Sequence, residues 1–126
     1  MTKQKYLETK SVGLLTLVLW GTLCSANAKE VSFERDVRPI LSENCFHCHG
    51  PDAKERKAKL RLDTKDGVLA DLGGYSAVAP GDPAKSELFL RISSDDPEEK
   101  MPPHDSNRNL SKKEIDLLKQ WIAEGA

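Results

Sequence analysis

Cys45-Phe46-His47-Cys48-His49 constrains what this chain can fold into more than any other feature. Of the three cysteines in the 126 residues, the one outside this motif, Cys24, lies in a stretch that reads as a leader. Lys3, Lys5 and Lys10 form a basic start, Val12 to Leu23 is an apolar run, and Ala26-Asn27-Ala28 is a small-x-small cleavage signature. Those parts in that order predict a secretory signal peptide over residues 1–28 and a mature chain of residues 29–126. The apolar run falls short of the roughly 20 residues that span a bilayer, which argues against a retained anchor. Lipid modification at Cys24 is disfavoured because Leu23 stands before it, where a small residue is wanted. The mature chain is left with two cysteines in one motif and none for a disulfide scaffold. A domain this small buries a limited share of its surface, so something besides its own side chains is expected to fill the core.

Charge narrows the partners. Loss of Lys3, Lys5, Lys10 and Glu8 takes the 19 basic and 20 acidic residues to 16 and 19, a balance of 16 − 19 = −3. So mild a value points neither to nucleic acid nor to an anionic membrane, and no membrane span is expected in the mature chain.

The periodicity is helical. Ser32 is a candidate N-cap, and Phe33, Val37, Ile40 and Leu41 recur on one helical face. Pro39 predicts either a kink or a new turn beginning there. Ala53 to Lys59 is charged and reads equally as a short helix or a solvated loop. Gly73-Gly74 and Pro80-Gly81 are turn punctuation. Asp82-Pro83 predicts a helix start, with Leu88, Phe89 and Ile92 as its apolar face. Ser111-Lys112-Lys113-Glu114 predicts a capping box with Leu110 and Ile115 as its hydrophobic staple. Ile115, Leu118 and Ile122 continue the stripe until Gly125 ends it. No useful β-alternation appears, so the expectation is one all-α domain.

Cys-x-x-Cys-His is a signal for covalent haem attachment. Thiols about one helical turn apart can each add to a different vinyl group of one porphyrin, and His49, the next residue, is then held where its imidazole can bind iron. Such attachment takes place outside the cytoplasm, in agreement with the leader. For the second axial ligand the mature chain offers Met101, its single methionine, stiffened by Pro102 and Pro103. His104 and His47 are rivals, and a core methionine beside a turn is the bland alternative. Methionine ligation would raise the reduction potential relative to two histidines. A zinc site built on Cys45, Cys48, His49 and one further histidine lacks a matching second knuckle, and a thioredoxin-type dithiol lacks its βαβ setting. Lys54, Arg56, Lys57 and Lys59 form either a basic collar for an acidic redox partner or a solvated face.

The order of these motifs resembles the planctomycete-type cytochrome c domain. The resemblance runs from Phe33-Glu34-Arg35-Asp36-Val37-Arg38-Pro39-Ile40-Leu41 through the cysteine motif with Gly50-Pro51-Asp52. It continues with Leu60-Arg61-Leu62-Asp63, Gly73-Gly74, Pro80-Gly81-Asp82-Pro83 and Ser86-Glu87-Leu88. Met101-Pro102-Pro103 and Trp121-Ile122-Ala123-Glu124-Gly125-Ala126 complete it. It implies a small cytochrome c-like helical domain wrapped around one haem c. Cys45 and Cys48 are then the attachment points, and His49 and Met101 the iron ligands. The family's domain usually opens a much longer chain, whereas this one stops at Ala126, so either a free-standing carrier or a product separated from its companion is expected. The function so implied is one-electron transfer between extracytoplasmic redox proteins, without catalysis. A haem-based sensor, a haem subunit of a larger redox enzyme and a zinc-binding module are the alternatives.

Overall fold

The computed structural model describes residues 29–126, so the leader expected over residues 1–28 lies outside the described residues. The described chain is helical. Its α-helices are α1 (Arg38–Asn44), α2 (Phe46–His49), α3 (Lys65–Val68), α4 (Glu87–Ser93) and α5 (Lys112–Ala123). A widened π-type turn, Phe33–Val37, leads into α1, and 3-10 turns occupy Pro83–Lys85 and His104–Ser106. No strand forms among the described residues. Two isolated bridges, Asp71 with Ser76 and Ser76 with Ser86, take the place of a sheet. No helix among them is long and apolar enough to cross a membrane.

The Pro39 question resolves as a change of helix type. The Ser32 hydroxyl caps the entrance by accepting from the Arg35 N–H, and the Asp36 carboxylate accepts the Ser32 N–H at 2.9 Å. The Arg38 N–H then donates five residues back, to the Phe33 carbonyl, which widens the turn. Pro39 falls in the first turn of α1, where its missing N–H would have no intrahelical partner anyway.

The last helix follows its sequence signals at both ends. The Ser111 hydroxyl accepts the Glu114 N–H and the Glu114 carboxylate accepts the Ser111 N–H, completing the capping box. At the other end Gly125 has φ +107°, and the N–H groups of Gly125 and Ala126 donate to the carbonyls of Ile122 and Trp121. That pair of bonds is a Schellman closure.

Helix α5 lies against the Phe33–Val37 turn and α4. The Phe33 and Trp121 rings meet at 5.6 Å between centroids, and the Val31 N–H donates to Glu124 at 2.8 Å. Val37, Leu41, Ile92, Leu118 and Ile122 are fully buried between these elements. Ser86 is buried too. Its hydroxyl donates to the Asp82 carbonyl at 2.8 Å and accepts the Ala79 N–H at 2.9 Å.

One segment departs from expectation and another, left open between helix and loop, is settled as a loop. Asp82-Pro83 starts only a 3-10 turn, and α4 begins at Glu87, because the Ser86 side chain is turned toward Asp82 and Ala79. Between Ala53 and Lys59 no helix forms, since Ala58 and Lys59 both adopt left-handed backbone, at φ +52° and +54°.

Gly50 ends α2 under a tight constraint. A Cβ there would lie 2.2 Å from the Phe46 carbonyl oxygen, so the backbone itself would have to shift. In urea unfolding of the exported protein, Gly50→Ala is expected to lower stability by well over the ~1 kcal/mol that losing the cap in Ser111→Ala costs. Equal losses would contradict the steric reading.

Four carboxylates favour the fold above the acid range, among them Asp63, which Arg61 holds below its usual range. Asp36 is held below the usual range first by Arg35 and then by the Ser32 N–H. Glu124 is held down by Gln120 and the Val31 N–H, and Asp71 by the N–H groups of Gly74 and Gly73. Because the folded values are depressed, their contribution is complete above the unfolded value of about 4 and is lost as pH falls through the lower folded values. Urea midpoints should therefore fall below about pH 4, and Asp36→Asn should flatten the decline. A slope unchanged by that substitution would rule Asp36 out as a contributor.

Candidate functional site

Helix α1 stops at Asn44, and the chain turns through Cys45 directly into α2. The Cys45 N–H still donates to Leu41, and the Cys45 carbonyl accepts from both Cys48 and His49, at 3.1 and 2.8 Å. This turn therefore stays helical, and it brings Cys45, Cys48 and His49 to one wall of a cavity. The loop after Gly50 is tied to the same turn. The Lys57 N–H donates to the Cys48 carbonyl at 2.7 Å, and the Leu62 N–H to the His49 carbonyl at 2.8 Å. Arg56 wraps the helix end, its guanidinium donating to the carbonyls of Gly50 and Pro51. Within the basic cluster, Arg56 is thus engaged in structure, whereas Lys54, Lys57 and Lys59 are exposed.

The cavity measures about 760 Å3, inside the range of about 300–1,000 Å3 in which cofactor sites fall. Leu60, Leu62, Leu72, Ala77, Leu88 and Ile92 give it apolar walls, and Met101, Pro102 and Pro103 line it as well. The sequence candidates Cys45, Cys48, His49 and Met101 therefore share one space. Met101 is half-buried, and its N–H donates to the Arg91 carbonyl at 3.1 Å. The Met101–Pro102 peptide bond is cis. Of the two rival histidines, His47 touches the cavity but is exposed, and His104 is exposed and outside the lining.

The electrostatics suit neutral donors. Burial pushes the Cys45 thiol up to about 11, with the charge of Arg108 opposing it. Burial also lowers the pKa of His49, against a smaller upward pull from the nearby Lys57 backbone. An imidazole that stays neutral near pH 7 keeps a lone pair for a metal. His49 Nδ1 is buried without a hydrogen bond of ordinary geometry. A neutral imidazole, a thioether, two thiols and apolar walls together fit an iron porphyrin joined through sulfur. Among the described residues no group of three or more His, Cys, Asp and Glu is gathered as a metal site, which the zinc alternative would need.

Sequence reasoning passed over Tyr75, Glu87, Arg91 and Arg108, which also line the cavity. The i,i+4 pairing of Glu87 with Arg91, at 2.8 Å, was visible as a spacing. Arg108 had no such signal, because it comes after an irregular connection.

Comparison with known proteins agrees with this geometry. No curated protein and no solved structure matches the chain. Residues 45–105, from the first cysteine of the cavity to the turn beyond Met101, match the family model described as planctomycete cytochrome C. Over that segment the chain is similar to the planctomycete cytochrome C family.

Proposed function

We propose that the protein is an exported one-electron carrier that holds a single haem c. In this reading Cys45 and Cys48 anchor the porphyrin through thioether bonds, while His49 and Met101 are the axial ligands of its iron. The observation that carries it is the meeting of these four side chains in one apolar cavity of cofactor size, within a cytochrome family domain. When bound, the haem supplies an iron that cycles between two oxidation states.

The protein's own part is to fix and shield. The helical turn from Cys45 to His49 sets the spacing of the two thiols and the imidazole. Burial keeps the His49 imidazole neutral and able to donate its lone pair. The Met101 thioether, a soft donor, favours the reduced iron and raises the potential. Leucine and isoleucine walls exclude water, which lowers the cost of changing the charge on the iron. With His49 and Met101 both holding the iron, no substrate would bind and no bond would be broken. The leader sequence supports an extracytoplasmic location, so the partners are other redox proteins of that compartment.

The test uses protein exported from a host with the c-type haem maturation machinery. The parent should show one one-electron wave and exclude carbon monoxide. Met101→Ala should bind carbon monoxide and lose on the order of 0.1 V of potential, within the ~0.8 V that axial ligands span. A parent that itself binds carbon monoxide readily would contradict the carrier and favour a sensor.

A further inference from the structure

The segment that bears Met101 has little regular structure to hold it. Between α4 and α5 it forms only the 3-10 turn His104–Ser106. Upstream, the Met101 N–H is fixed to the Arg91 carbonyl, and the Arg91 guanidinium, already paired with Glu87, also reaches the Glu99 carbonyl at 3.4 Å. Downstream, the chain is bent back on itself. Ser106 donates through both N–H and hydroxyl to the Pro103 carbonyl, at 3.0 and 2.6 Å. Asn107 then adopts left-handed backbone at φ +54°, a conformation asparagine tolerates better than most residues.

That reversal delivers Arg108 to the end of α1. Its Nε donates to the Glu43 carbonyl at 3.1 Å and its Nη1 to the Ser106 carbonyl at 3.3 Å. Among the described residues no other side-chain hydrogen bond joins residues 95–110 to the chain before Leu88. Glu43 stands in the last turn of α1, two residues before Cys45, where carbonyls lack intrahelical partners and the helix dipole favours a cation. Arg108 has no carboxylate partner among the described residues, so its charge is free for these carbonyls. One side chain thus ties the turn after Met101 to the helix that leads into the cysteine motif, and both segments line the cavity.

We propose that Arg108 is a positioning residue, a latch whose bond to the Glu43 carbonyl holds the Met101 segment closed and so keeps Met101 on the iron against competing ligands. This rests on the carrier reading above. An outside ligand reaches the iron only when Met101 leaves, and its apparent affinity scales with the fraction of molecules whose segment is open. Loss of one hydrogen bond from a charged donor raises that fraction about tenfold.

The experiment is a titration of the oxidised, exported holoprotein with imidazole, followed by visible absorption. Arg108→Gln should bind imidazole about tenfold more tightly than the parent. In a Met101→Ala background the Arg108→Gln substitution should change affinity by less than about twofold, because no chain ligand remains to be displaced. Parent-like affinity in Arg108→Gln, or an equal gain with Met101 absent, would overturn the latch. Failure of the underlying reading would be distinct, since the parent would then lack the absorption band of thioether-ligated ferric iron.

Discussion

The helical turn from Cys45 to His49 is the constraint on which the rest of the structure depends. Its Cys45, Cys48 and His49 side chains line the cavity, and its outward carbonyls anchor the loop beyond Gly50. The carbonyls of Cys48 and His49 accept from Lys57 and Leu62, so that loop closes back against the turn that leads into it. Leu60 and Leu62 are thereby brought into the cavity wall. Gly50 is needed at the exit because the chain passes too close to the Phe46 carbonyl for any Cβ. Displacing this turn would move the donor side chains and one wall together.

The remaining elements divide the work. The Phe33–Val37 turn, α1 and α5 form a layer that closes on itself through Phe33, Trp121, Leu41 and Leu118. Helix α4 and the irregular segments 69–79 and 94–110 supply most of the remaining cavity lining. Their apolar side chains contribute most to stability when an apolar group covers them, so a cofactor held there would couple its binding to folding. Such coupling would offset the entropy of ordering so many loop residues in a stretch, 29–126, whose two cysteines both lie in one motif.

What the sequence discloses depends on whether a signal is local. The capping box at Ser111, the stop at Gly125 and the Cys45–His49 motif are legible because each is settled within a few residues. Met101 stands out as the single methionine of residues 29–126, placed before two prolines, and it lines the cavity. Pro39 announces a discontinuity, but the widened turn that absorbs it could not be read. The Ala53 to Lys59 stretch has helix-forming composition, and only the left-handed backbone at Ala58 and Lys59 makes it a loop. Helix α4 starts late because Ser86 bonds to Ala79 and Asp82, contacts set by the bridge network and not by spacing. The reach of Arg108 to Glu43 spans 65 positions of sequence and arises from no pattern within it.

The cavity's chemistry agrees across levels: neutral donors, apolar walls and two thiols one turn apart, within a planctomycete cytochrome C segment. The central claim is that a porphyrin is joined to Cys45 and Cys48. The measurement that tests it most directly is a visible absorption spectrum, oxidised and reduced, of the exported protein after unfolding and acid extraction. Thioether attachment predicts haem bands that stay with the polypeptide. A colourless polypeptide with both thiols free would contradict it.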